Sequence, residues 1–194
     1  GSWTSSGEAV APPMRTSRPR PRPRLLGALD KLARAGTRMA RFYVTPFCSP
    51  TRAMLMTGVD NHLVGYGDME SLMVPQQKGK PGYEGYLNDR AVTVAETLRD
   101  AGYRTVMAGK WHLGSEAEHS PAAAGFERSY GLIHGAGSHF SATGFFEGGS
   151  VYREDGVEVE YPEGRYTTEL FTDRLIEFID SGRDDGRPFF ALLS

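Results

Sequence analysis

The chain has 194 residues, 39% of them apolar and 24% charged, a balance that suits one globular domain with a usable core rather than a fibrous or wholly unstructured chain. A net charge of -2 points to neither nucleic acid nor an acidic partner, and no apolar run approaches the ~18 residues of a membrane span. Cys48, the single cysteine, excludes an intrachain disulfide and a cysteine-built zinc site.

Residues 1–24 are poor in large apolar residues and end in Arg18-Pro19-Arg20-Pro21-Arg22-Pro23-Arg24. Alternating proline removes every second backbone donor and favours extended polyproline II, and neighbouring arginines repel, so this segment is expected to be disordered when alone. Clustered arginine can contact phosphate. Such a run is more often a solvated tail, however, and its abrupt composition reads as a misassigned start, so nucleic acid is not the expected partner. No apolar secretory core occurs in residues 1–30, which leaves the compartment open.

Order is expected from Leu25, where Leu25, Leu26, Leu29 and Leu32 keep helical spacing up to Gly36. Met39–Val44 reads as a short strand. Pro50 suits the first turn of a helix over Thr51–Thr57, with Cys48 and Ser49 at its mouth. Residues 61–88, rich in Gly, Met and Tyr, read as an irregular excursion. Thr93 and Glu96 make a capping box for a helix reaching Ala101, with Gly102 as its stop. A strand over Arg104–Ala108 breaks into the loop Gly109-Lys110-Trp111-His112-Leu113-Gly114. Residues 115–150 read mostly as loop. Val151–Arg153 and Val157–Tyr161 suggest a hairpin around Glu154-Asp155-Gly156. A helix over Thr168–Ser181 and an apolar strand over Pro188–Ser194 complete the alternation. The class is therefore α/β, a mostly parallel sheet flanked by helices. The last strand reads as cut, with Phe189, Phe190, Leu192 and Leu193 expected on a poorly covered edge.

A lone cysteine is most often a small buried hydrophobe. Cys48 instead stands between two prolines and near an arginine, in Thr45-Pro46-Phe47-Cys48-Ser49-Pro50-Thr51-Arg52. Continued through Ala53-Met54-Leu55-Met56-Thr57-Gly58, this resembles the sulfatase signature, Cys-x-Pro-x-Arg followed by an apolar helix ending in Thr-Gly. A second block, Leu98 through Gly114, resembles the family's other hallmark around Gly109-Lys110-Trp111-His112. Leu29–Gly36, Gly79–Tyr86 and Gly125–Gly131 also look like bacterial arylsulfatase, so the likeness covers residues 25–194.

The resemblance implies a partial catalytic domain of the sulfatase and alkaline-phosphatase type over residues 25–194, and hydrolysis of a sulfate ester. It implies that a formylglycine-generating enzyme oxidises Cys48 to an aldehyde, whose hydrate attacks sulfur. Arg52 would steady that hydrate, Lys110 would contact nucleophile and sulfate, and His112 would hydrogen-bond the hydrate and exchange its proton. Independently of the likeness, a helix mouth favours an anion, and a Lys-x-His pair at the end of a strand stands where α/β folds build sites. The other histidines, His62, His119, His134 and His139, match no catalytic motif and read as surface or supporting residues.

The family also implies a calcium or magnesium ion held by an Asp-Asp pair on a first strand. Val10 and Ala11 stand at about that distance before Cys48, so only Cys48, once converted, is expected among the metal ligands. A leaving-group histidine, an Asp-Asn metal pair and a second lysine are likewise expected beyond Ser194. The chain thus reads as an N-terminal portion, doubtful as a catalyst alone. Two other readings stand beside hydrolysis of sulfate esters: a phosphonate or phosphate monoester hydrolase of the same superfamily, and a non-catalytic, degenerate fragment.

Overall fold

The computed structural model describes residues 24–144 and 148–194. Two compact units divide the chain, residues 1–43 and 44–194. In the first unit, α1 (Arg24–Ala35) takes up the leucine-spaced segment and closes with the Gly36 N–H on the Leu32 carbonyl, 2.9 Å away. The disorder expected of residues 1–24 falls outside the described residues, except for Arg24 at the start of α1.

The strand expected over Met39–Val44 does not form. Among the described residues nothing pairs with this stretch, and Met39, Phe42, Tyr43 and Val44 are exposed. Aromatic and branched residues favour strands because they fit a pleated, half-buried surface, and no neighbouring strand supplies one here.

The second unit is built on a five-stranded sheet in the order β4-β3-β2-β1-β5. Its strands are β1 (Arg104–Lys110), β2 (Arg128–Leu132), β3 (Tyr152–Glu154), β4 (Val157–Val159) and β5 (Phe189–Leu193). β1 pairs in parallel with β2 and β5, while β2–β3 and β3–β4 are antiparallel. The expected α/β class with a flanked sheet holds; its parallel part is the centre, and the hairpin extends one edge.

Helices cover both faces. α2 (Cys48–Thr57) and α3 (Val94–Asp100) lie on one side and α4 (Thr167–Asp180) on the other. Successive side chains of a strand point to opposite faces, and β1 shows why both must be apolar. Met107 joins Ala53, Met56 and Ala95 in one core, whereas Val106 and Ala108 join Leu170, Phe171, Leu175 and Phe178 in the other. α3 starts with the expected capping box: the Thr93 hydroxyl accepts from the Glu96 N–H, and the Glu96 carboxylate accepts from the Thr93 N–H at 2.7 Å. The hairpin turns through Asp155 and Gly156, both with positive φ (50° and 86°), as a two-residue primed turn requires.

Two boundaries differ from expectation in ways that shape the site. β1 runs two residues further, to Lys110, because β2 accompanies it: Gly109 faces Gly131 and Lys110 faces Leu132. β2 itself lies in the stretch expected to be loop. Arg-Ser-Tyr-Gly-Leu carries little strand signal of its own and is buried only because β1 and β3 flank it. On β5, Phe189 and Leu193 are exposed as expected, whereas Phe190 and Leu192 pack against the core on the α2 side.

Candidate active site

Cys48 is the first residue of α2, not a residue ahead of it. Phe47 precedes it in extended backbone, and Pro50 occupies the third helical position, where a missing N–H costs no intrahelical bond. The helix stops at Gly58, φ 69°, whose N–H meets the Met54 carbonyl at 2.8 Å. The thiol is half-buried, while Ser49 beside it is fully buried. The first turn of α2 is thus held in the core with Cys48 at its open end.

β1 delivers the other half of the site. Past Lys110 the chain buries Trp111 completely; its N–H donates to the Leu132 carbonyl at 2.8 Å and its indole N–H to the His119 carbonyl at 2.7 Å. His112 follows with φ 56°, a left-handed backbone uncommon for a residue with a side chain. Its N–H donates to the Ile133 carbonyl at 3.0 Å, and its imidazole Nδ1 lies 3.2 Å from the Cys48 Sγ. Gly135 backs the ring so closely that a Cβ there would come within 2.4 Å of the imidazole Cε1. Met69 Sδ stands 3.9 Å from the thiol.

Arg52, one turn into α2, ties the two halves together. Its Nε donates to the Trp111 carbonyl and its Nη1 to the Ser194 hydroxyl, each at 2.6 Å, while Nη2 donates to the Lys110 carbonyl. The planar guanidinium fork is therefore engaged with the end of β1 and with Ser194, and its charge lies close to Cys48. Burial pushes its pKa down to about 10, against the pull of Cys48 and Tyr66. Lys110 is half-buried and has no ion-pair partner among the described residues. It lines a cavity of about 300 Å³ with His139, Thr167 and Ser194. The four residues singled out in the sequence thus converge by two routes: Cys48 and His112 by direct contact, Lys110 and Arg52 through the Lys110 carbonyl.

The Sulfatase family model matches residues 14–194. The chain belongs to the sulfatase family. It is 38% identical over 85% of its length to an uncharacterized sulfatase of Schizosaccharomyces pombe, of which it covers 32%. It is 36% identical over 86% of its length to the arylsulfatase of Klebsiella aerogenes, of which it covers 36%. The chain therefore spans about a third of the length of these curated relatives. Among solved structures it resembles BT4656 in complex with its substrate D-glucosamine-2-N,6-O-disulfate, with a TM-score of 0.62 and 28% identity, covering 86% of this chain and 28% of the other.

In this sulfatase chain His112 is neutral at ordinary pH. Burial, then the positive charges of Lys110 and Arg52 and the nearby His134, hold its pKa down to about 4. A neutral imidazole can accept a proton from a group at the Cys48 position. A folding consequence follows from the same shift. The unfolded chain takes up this proton near pH 6.5 and the folded chain only near pH 4, so this group's contribution to stability is intact above 6.5 and is lost as pH falls toward 4. Thermal unfolding midpoints measured from pH 7 to pH 4 should therefore fall more steeply for the natural chain than for His112→Gln. Parallel curves would show that burial does not disfavour the charged imidazole.

The divalent ion implied by the family finds no ready shell here. Among the described residues no three His, Cys, Asp or Glu side chains come together, whereas calcium and magnesium need about six oxygen ligands. Cys48, once converted, is the one expected ligand in the described region, and Val10 and Ala11 lie outside it.

Several neighbours of the site carry no motif. Tyr66, buried, donates its hydroxyl to the Gly85 carbonyl at 2.8 Å, and burial together with Glu70 raises its pKa. It comes, like Met69, from the excursion that reads as irregular. Among the histidines read as surface or supporting, His62 is exposed beside Asp60 and His119 stacks on Tyr86 at 3.9 Å. His134 instead lines a cavity with His112, and His139 lines the one beside Lys110. The parallel register of β1 and β2 was the missing signal: with Lys110 opposite Leu132, His134 stands beside His112.

Proposed function

We propose that the protein carrying this chain hydrolyses sulfate esters, with Cys48, converted to formylglycine by a formylglycine-generating enzyme, supplying the nucleophile. The contact between the Cys48 Sγ and the His112 Nδ1 at 3.2 Å carries this reading, since it puts a neutral base against the group that must gain and lose protons. Lys110, which has no ion-pair partner among the described residues, offers a cation for the sulfate oxygens, and such fixed charge is often the largest contribution to a rate. Arg52 holds the two halves in register and adds positive charge beside the nucleophile. Sulfate esters are favoured over phosphonates by the family and by relatives of arylsulfatase type.

The experiment is a paired assay of the full-length protein, matured at Cys48, on an aryl sulfate and the matching aryl phosphonate. Sulfate turnover at least tenfold faster than phosphonate turnover, and abolished by Cys48→Ala, is expected. Faster phosphonate turnover would transfer the assignment to the superfamily's other chemistry, and turnover indifferent to Cys48→Ala would reject it.

A further inference from the structure

The chain leaving β1 keeps pairing with the chain leaving β2 beyond the ends of both strands. Trp111 and His112 donate their N–H groups to the Leu132 and Ile133 carbonyls at 2.8 and 3.0 Å. Two residues further on, Gly135 meets the His112 ring. A Cβ on Gly135 would stand 2.4 Å from the imidazole Cε1, 2.7 Å from Nε2 and 2.8 Å from Nδ1, where ordinary contact begins at 3.4 Å. With Cε1 nearest and the two nitrogens almost equally close, that Cβ would lie over the face of the ring rather than at its edge. The same Nδ1 is 3.2 Å from the Cys48 Sγ. Glycine is needed here for space and not for its backbone freedom, because Gly135 does not take the positive φ of Gly109 and Gly114.

Which side would yield to an added methyl group follows from how each is held. The Gly135 segment is tied down before and after: Ile133 N–H donates to the Val151 carbonyl at 3.0 Å, Ser138 N–H donates to the Thr143 carbonyl at 2.9 Å, and Gly137 bridges Gly144. All three crowded atoms on the other side belong to the far end of the His112 side chain. Space for that end to move into exists in a cavity of about 290 Å³, which His112 lines together with Ser115 and His134. Turning a side chain between rotamers costs less than displacing hydrogen-bonded backbone, so the ring would give way and the fold would survive.

We infer that Gly135 is a positioning residue, whose bare backbone lets the His112 imidazole lie flat against it with Nδ1 turned to the Cys48 position. A side chain at 135 would send the ring into the neighbouring cavity. This rests on the sulfate-ester reading for its effect on catalysis, but not for the contact itself. A reacting group misplaced by ~1 Å loses on the order of a hundredfold in rate.

The test is a mutant cycle in the matured full-length enzyme with 4-nitrophenyl sulfate as probe. Gly135→Ala should lower kcat about a hundredfold and leave KM within about threefold, since the ring acts on the reacting group and not on binding. Gly131→Ala on β2 is the comparison: a Cβ there would meet nothing closer than 3.5 Å, and kcat should stay within about threefold. His112→Gly removes the ring and keeps the positive φ, so Gly135→Ala added to it should cost less than about threefold more. Losses that multiply, kcat retained in Gly135→Ala, or an equal loss in Gly131→Ala would each overturn the proposal. If Gly135→Ala does not fold, rescue of folding by His112→Gly would support the contact, and failure of the double variant as well would overturn it. The placement is also read without turnover, in the unconverted thiol form with histidine carrying 13C at Cε1, where loss of a signal in His112→Gly identifies the ring. That signal should move in Gly135→Ala and hold its position in Gly131→Ala; an unmoved signal would overturn the proposal. A moved signal in an enzyme that hydrolyses no sulfate ester would count against the sulfatase activity and leave the placement of the ring standing.

Discussion

Arg52→Ala should destabilise the domain by about 3 kcal/mol and lower turnover by roughly a hundredfold or more, because one side chain supplies the donors for two carbonyls and a hydroxyl. The carbonyls of Lys110 and Trp111 would lose these donors at a buried junction, at a cost of ~1–3 kcal/mol each, eased where water enters. The kinetic loss has a separate origin. Arg52 fixes the first turn of α2 against the end of β1, and the Cys48–His112 contact spans that same gap. Arg52→Lys should recover the charge but not the fork, restoring less than half of the stability. Denaturant unfolding and steady-state kinetics on the three forms give the answer, and full recovery in Arg52→Lys would show that charge alone matters there.

Trp111→Ala should cost about 4 kcal/mol, within the ~3–5 kcal/mol of removing a fully buried large aromatic. The ring meets Phe126 edge-on at 6.3 Å and its N–H satisfies the His119 carbonyl, so the deletion leaves both a void and an unpaired acceptor. Trp111 sits between Lys110 and His112 in the chain, and its burial anchors the turn that carries both. Trp111→Phe keeps most of the volume but loses the N–H and part of the fused ring, so it should retain more than half of the stability. Chemical denaturation reads both; a cost below about 1 kcal/mol for Trp111→Ala would mean that the loop is held by its backbone bonds alone.

Much of this architecture was legible residue by residue, for reasons that differ from one element to the next. The capping box at Thr93 and Glu96, the Asp155-Gly156 turn and the leucine and phenylalanine spacing of α4 are local signals, each written in neighbouring residues. Cys48, Arg52, Lys110 and His112 were legible because two short blocks carry them, and the fold brings those blocks together. β2 was not, since its burial comes from β1 and β3 rather than from its own composition. Missing β2 hid His134 as well, whose place next to His112 is a consequence of register. Met39–Val44 failed in the opposite sense, its strand-like residues finding no strand to pair with. The use of Arg52 as a clamp was also out of reach, because two of its acceptors are main-chain atoms 58 and 59 residues away and the third is the Ser194 hydroxyl.

Cys48 is the proposed precursor of the nucleophile, and mass spectrometry reads its conversion directly. The chain is produced together with a formylglycine-generating enzyme, digested, and the peptide spanning Cys48 is weighed and treated with an aminooxy reagent. The expected result is the mass loss of thiol-to-aldehyde conversion and formation of the oxime on that peptide, with neither in Cys48→Ala. A peptide that keeps its free thiol under conditions in which a control sulfatase is converted would contradict the account.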